Sequence, residues 1–391
     1  MKGFNWLDNL KLRAGYGVTG VIPNDPYQSL TRYALGSTYY YDHGTWKPGL
    51  VVSSNPNPDL KWETSKEYNI GLDVSVLKDR LGASIDVYSK TTSDMLWDYV
   101  VPVPPNLYPN TLANVGQMRN QGIEIAINAI PFRTKDFEWK TTFTGSTNIN
   151  KLLSLSNDLY QTVNQLDWGG LGEPISMSTH RLEVGKSVGN FFGFKSVGVN
   201  KDGLWLIEDP ATGKAVKFED TMLNDSKYKQ YLGNGLPDFY LGWNNTFRYK
   251  NIDLSFQLTS QLGFKILNEA RAFYENNTVV YNRLRSVQNA PYGGQYTLSS
   301  AQKQTLVSYY LENGDFVKMS NLSVGYTVPL KANKYVNRIR AYISGDNLLC
   351  ITGYSGLDPE LSNNDALMPG IDKRDKYPVI RSFTFGLNVT F

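Results

Sequence analysis

The sequence has 391 residues, with 39 Lys and Arg against 36 Asp and Glu for a net charge of +3. Charges of both signs are interspersed, so the sequence offers no basic face to neutralise a phosphate backbone, and nucleic acid drops out as a partner. One cysteine, Cys350, and two histidines, His43 and His180, supply neither a disulfide framework nor a soft-ligand metal site, and no cofactor is implied.

Aromatic and glycine content point to β structure: 26 Tyr, 17 Phe, 8 Trp and 34 Gly stand beside 19% charged residues, below the roughly 25% of average soluble chains. No run approaches the ~18 apolar residues of a membrane helix, so a membrane form would cross as strands. The opening Met1–Asp8 has neither an apolar stretch nor a small-residue cleavage site, and an export signal is not expected there.

Residues 9–17 predict a first strand, followed by a Pro, Gly and Tyr-rich loop over 18–60. In 61–77, Tyr68, Ile70, Leu72, Val74 and Val76 alternate with Asn69, Gly71, Asp73 and Ser75, which is strand periodicity, and Lys78-Asp79-Arg80 form a tight polar turn. A strand over 81–97 carries Leu81, Ala83, Ile85 and Val87 on one face, then a Pro-rich loop covers 98–113. Residues 114–130 return through Ile123, Ile125 and Ile127, turn at 131–136, and run out again over 137–150.

The segment 151–236 lacks a clean period and reads as mostly loop, with a short strand over Phe191–Val199. Strands resume at 239–249 and 252–264, joined by Lys250-Asn251. Residues 265–314 read as a long excursion with a helix around Ile266–Glu275. A hairpin pairs 316–328 with 338–349 across 329–337, and the loop 350–378 leads into a last strand. There Phe383, Phe385, Leu387, Val389 and Phe391 alternate with Ser382, Thr384, Gly386, Asn388 and Thr390.

This makes roughly ten long strands whose connections alternate between short and long, the layout of an all-β, antiparallel up-and-down transmembrane β-barrel. Long extracellular loops would lie on one rim and short periplasmic turns on the other. A β-sandwich or propeller also alternates. Against it stand strands of about ten or more residues, where soluble ones average five or six, and the absence of a repeat period.

Five blocks carry a family resemblance. Asn57–Thr64 leading into Tyr68–Asp73, Asn114–Glu124 (NxGxxxNxGxE), Asp315–Tyr326, Ser344–Leu349 and Tyr354–Glu360 occur in order. Together they resemble the C-terminal half of the SusC/RagA TonB-linked outer-membrane transporters. The resemblance implies a glycan or peptide importer in the outer membrane of a Gram-negative bacterium, with a SusD-like surface lipoprotein as lid and the TonB complex as energy source. Plug domain and early strands have no counterpart in residues 1–391. Such barrels close with about 22 strands around a plug, so the expectation is a partial barrel from the C-terminal portion of a longer protein. Leu387, Val389 and Phe391 then look like the aromatic terminus read by the barrel assembly machinery before insertion into outer-membrane lipid.

Within this frame, Tyr39, Tyr40, Tyr41, Trp46 and Trp168 are candidate contacts for an oligosaccharide or peptide ligand, because flat rings stack on sugar faces. Interfacial belt, loop packing and lid contact are the competing roles. Glu63, Asp73, Asp86, Glu124 and Asp346 raise the question of a glycosidase pair, and read instead as lining of a wet lumen. No catalytic residue is assigned. Gly193, Gly198 and Gly203 lack phosphate-loop spacing and read as turn and bulge glycines, and His43 and His180 read as ordinary loop residues. A passive barrel fragment and a soluble carbohydrate-active β-protein are the alternatives.

Overall fold

Period-two alternation in ten separate segments has one structural outcome: strands whose two faces differ in solvent, paired edge to edge. The structure, a computed structural model, describes residues 6–22, 25–157, 164–280, 282–291, 294–330, 335–361 and 365–391. Met1–Asn5, where the reading of the N-terminal stretch begins, and 331–334 of the turn expected at 329–337 lie outside them.

Ten strands form one antiparallel sheet: β1 (Leu7–Val21), β2 (Glu63–Val76), β3 (Leu81–Val100), β4 (Asn110–Arg133), β5 (Phe137–Ser154), β6 (Phe239–Tyr249), β7 (Ile252–Leu262), β8 (Phe316–Val328), β9 (Arg338–Thr352) and β10 (Ser382–Thr390). Each pairs with its neighbour in sequence, and β1 and β10 are its two edges. The sheet is an open sector of barrel wall. Its apolar face is bare: Leu12, Ile70, Phe385 and Leu387 are 74%, 61%, 78% and 64% exposed. At the short-turn rim that face carries a row of rings, with Phe132 stacked on Trp139 at 6.0 Å and Trp139 on Phe247 at 5.5 Å, where an aromatic girdle belongs.

Several strands outrun their expected ends, β1 reaching Val21 and β9 Thr352. β3, β4 and β5 extend to 100, back to 110 and on to 154, shrinking the expected 98–113 loop to nine residues, 101–109. Their outer ends are covered by protein, with Tyr99, Ala113 and Val115 in a buried cluster, so the polar alternation stops while the ladder continues.

The reading of 151–236 as mostly loop is corrected. The strands Gln165–Trp168, His180–Glu183, Asn190–Gly193 and Gln230–Asn234 form a four-stranded sheet, and Ser196–Val199, Trp205–Glu208 and Ala215–Lys217 a three-stranded one. Strands of three to five residues show little period, and burial on both faces turns Phe191-Phe192-Gly193-Phe194 into a continuous apolar run. Gly198 sits at a register shift and Gly203 in a turn, as expected of them.

Elsewhere, the expected helix shortens to Glu269–Tyr274, capped by the Asn268 side chain accepting from Arg271 N at 3.1 Å, because Ile266 and Leu267 belong to the strand Lys265–Asn268. That strand pairs in parallel with Ile371–Asp372. The loop expected over 18–60 holds a two-stranded ribbon, Arg32–Asp42 with Thr45–Ser54. It was missed because aromatics occupy both its faces. Its turn uses His43 and Gly44, both left-handed at φ 46° and 84°, the twist a two-residue hairpin needs.

The main hydrophobic core lies in this long-loop lobe, not in the wall. Phe191, Phe194, Trp205, Ile207, Leu267, Phe273, Val307, Tyr310 and Ile371 come from three different long connections and pack together. At roughly 1.5–3 kcal/mol per large apolar side chain, this clamps the three connections into one body.

His180 is corrected from a loop residue to the most buried titratable group of the lobe, 1% exposed, ring to ring with Phe191 at 4.3 Å. Its Nε2–H donates to Pro369 O at 3.0 Å, leaving Nδ1 to accept from Thr179 Oγ1 at 2.8 Å. Burial holds its pKa down, at about 4 against 6.5. The unfolded chain therefore takes up the proton first, and lobe stability falls as pH drops from 6.5, the loss levelling off near 4. The full loss is at most about 3 kcal/mol. Hydrogen exchange at Phe191–Gly193 should accelerate over that window, and His180→Gln should flatten the profile; an unchanged pH dependence in the variant would refute the assignment.

Candidate functional site

The polar face of the wall is built by the residues that alternate with the bare apolar ones. Its inner floor is charged. Arg13 bonds Asp73 at 2.9 Å through two nitrogens, Asp86 at 2.8 and 2.7 Å, and Ser84 at 3.0 Å. Arg340 binds Asp253 with Nε at 2.9 Å. Glu138 takes Arg133 at 3.0 Å and Lys140 at 3.2 Å. Asp73 and Asp86, candidates for paired-carboxylate chemistry, are thus both held by one guanidinium. Arg13 itself was not singled out in the sequence, because its partners lie 60 and 73 residues away.

Above this floor a cleft of about 560 Å³ crosses five consecutive strands, β3 to β7. Asp86, Glu124, Thr144, Ser146, Tyr240, Gln257, Thr259 and Gln261 line it, with Phe316 and Glu360 at the long-loop end. Its hydroxyls, amides and carboxylates suit a hydroxyl- or amide-rich ligand. Of its three carboxylates, Asp86 is bound by Arg13 and Glu360 by Lys318. The exposed Glu124 carboxylate has neither a hydrogen bond nor an ion pair among the described residues.

The structure separates the candidate aromatics. Tyr39, Tyr40, Tyr41 and Trp46 share the ribbon and are 61%, 55%, 63% and 68% exposed, with Tyr41 and Trp46 cross-strand partners 5.3 Å apart. Trp168 lies elsewhere, half-buried against Trp97 at 5.0 Å and the Leu152, Leu155 and Leu182 cluster. Asn55 anchors the ribbon base: its Nδ2 donates to Tyr108 O and Asn110 O, and its Oδ1 accepts from Leu107 N and Tyr108 N. Phe391 is 81% exposed beside the end of β10.

The sequence blocks turn out to hold seams, some tying a connection to a wall strand and others tying neighbouring wall strands to each other. Asn57 donates to Leu112 O at 2.8 Å, and Lys61 N and Asn114 bond each other's Oδ1 and O at 3.0 and 2.8 Å. Glu63 accepts from Leu96 N at 2.9 Å. Asp346 holds Asn321 at 2.7 Å and Ser382 at 3.0 Å. Tyr354 donates to Asp372 at 2.7 Å, and Asp358 joins Lys318 at 2.8 Å. Burial raises both the Tyr354 phenol and the Asp372 carboxyl.

Residues 3–348 match the TonB dependent receptor-like, beta-barrel family. The chain belongs to that family. It is 31% identical over 412 residues to the TonB-dependent receptor P3 of Formosa agariphila, a match covering 100% of this chain and 40% of the relative. With the TonB-dependent receptor SusC of Bacteroides thetaiotaomicron it shares 28% identity over 423 residues, covering 100% of this chain and 38% of SusC. The fold matches the RagAB peptide transporter at a TM-score of 0.84 and 24% identity, across 100% of this chain and 42% of that one. The chain thus spans about 40% of the length of the curated relatives it matches. The family is one of receptors and transporters, and in its terms the sheet is transmembrane wall, the cleft faces the lumen, and the lobe crowns the long-loop rim. No helix among the described residues is long and apolar enough to cross a bilayer.

Lys318, 4% exposed, fixes the crown to the wall by holding both Asp358 and Glu360 at 2.8 Å. Lys318→Met leaves Asp358 buried and unpaired, a loss of about 3 kcal/mol, and should open 353–381 to protease. Adding Asp358→Asn should recover part of the loss; a double variant as damaged as the sum of the singles would refute the clamp.

Proposed function

We propose that this chain forms part of the wall and outer crown of an energy-coupled outer-membrane importer for glycan or peptide fragments, working with a SusD-like surface lipoprotein and driven through the TonB complex. The observation that carries the reading is a transmembrane wall whose lumen face holds a polar cleft directly beneath a folded crown. SusC-type and RagAB-type proteins are the relatives that support it.

In this reading a ligand meets the exposed Tyr39, Tyr40, Tyr41 and Trp46 of the ribbon, and the amides, hydroxyls and free Glu124 carboxylate of the cleft hold it next. Release follows when TonB acts on a plug supplied by other parts of the protein. The ribbon is also the surface offered to the lipoprotein, since an isolated two-stranded hairpin with apolar residues on both faces is stabilised by a partner. Barrel assembly machinery reads the Leu387, Val389 and Phe391 end in this account.

Cells carrying the full-length protein should accumulate labelled oligosaccharides or oligopeptides, and removal of TonB should abolish that uptake. Uptake surviving TonB removal would leave a passive barrel instead. The double variant Tyr41→Ala/Trp46→Ala should weaken ligand binding about thirtyfold, each ring contributing on the order of 1 kcal/mol. Loss of lipoprotein association with unchanged ligand affinity would assign the ribbon to the lid alone.

A further inference from the structure

Three times in the wall a long polar side chain lies over a glycine of an adjacent strand and bonds to the strand beyond. Arg13 of β1 crosses Gly71 of β2 to Asp86 of β3, and a Cβ on Gly71 would stand 2.6 Å from the guanidinium carbon. Tyr88 of β3 crosses Gly122 of β4 and donates to Asn148 of β5 at 2.9 Å, where a Cβ would stand 2.6 Å from the phenol oxygen. Arg340 of β9 crosses Gly325 of β8 to Asp253 of β7. In the first two, all three residues are directly in register.

A fourth side chain is laid out the same way with no strand beyond it. Tyr342 of β9 is in register with Gly386 of β10, and a Cβ on Gly386 would overlap the phenol ring. Yet β10 is an edge of the sheet, and the Tyr342 hydroxyl has no hydrogen-bond partner among the described residues. The other edge presents the reciprocal half. Gly17 of β1 has nothing over its Cα, and the carboxylate of Glu67, its register partner on β2, has no hydrogen bond or ion pair among the described residues.

We propose that Tyr342 is a latch for wall closure: its hydroxyl bonds a polar, lumen-facing side chain directly opposite Gly386 on a further antiparallel strand paired to β10. The occupant is a strand of the remaining wall in the same, longer polypeptide, since the matched relatives extend well beyond this chain and an unpaired edge cannot stand in hydrocarbon. On the opposite edge the strand beside β1 brings a basic or phenolic side chain over Gly17 to Glu67, as Arg13 is brought to Asp86. The proposal rests on the sheet being one sector of a closed barrel, and on no particular substrate.

The test is photo-crosslinking of the full-length protein in outer membranes with p-benzoylphenylalanine at position 342. Expected is an intramolecular crosslink to one lumen-facing residue of a strand outside residues 6–391. A product of doubled mass, a crosslink confined to 382–391 or to the crown, or no crosslink in protein that shows a heat-modifiable band, overturns the latch. Tyr342→Phe keeps the ring, and should lower the temperature at which the heat-modified band converts by about 3 °C; an unshifted transition also overturns it. A protein with no heat-modifiable band at all would defeat the closed-barrel reading first, and the latch with it.

Discussion

In hydrocarbon every backbone N–H and C=O must find its partner within the protein, and the rest of this structure follows from meeting that demand with strands. Each wall strand between the two edges gives its hydrogen bonds to two neighbours, so side chains are left to divide between two solvents. The apolar set, Leu12, Ile70, Phe385 and their equivalents, faces outward and buries nothing within this chain. A wall of this kind has no interior of its own. What fixes its strands sideways is the ladder and, on the polar face, side chains that span more than one strand.

Small residues make that spanning possible. Gly71, Gly122 and Gly325 interrupt no turn; they clear the lumen face so that Arg13, Tyr88 and Arg340 can lie flat across a strand and reach the next one. Such a tie resists sliding, because a slip of one residue would move the donor to the lipid face and set a side chain where the glycine stood. The wall's register is thus held by polar ties on its inner face, where a soluble sheet would rely on core packing.

The sequence made the wall legible because the two-solvent rule writes itself as strict alternation, and because alternating short and long connections give the two rims. It left the crown unread. Phe191, Phe194, Trp205, Phe273 and Val307 belong to strands and turns too short to show a period, and their partners come from connections more than a hundred residues apart. The ribbon escaped for the opposite reason, being exposed on both faces. Among site residues, Tyr39 to Trp46 were visible as a cluster and are one, whereas Trp168 was visible only as a Trp among glycines and lies against Trp97. Arg13 carried no local signal; a rule seeking a lumen-facing glycine flanked in register by long polar side chains would have found it once strand pairing was assigned.

The quoted sequence blocks sharpen this point. Asn57, Lys61, Glu63 and Asn114 do not line the cleft; Asn57 and Lys61 bond their connection to Leu112 and Asn114 of β4, and Glu63 bonds β2 to Leu96 of β3. Lys318, Asp358 and Glu360 do the same between wall and crown, and Glu360 also reaches the mouth of the cleft. Most of these block residues are staples whose loss would let a loop or strand drift, while Glu124, Phe316 and Glu360 of the same blocks line the cleft. The blocks thus set the frame between wall, connections and crown, and the ribbon lies outside them altogether.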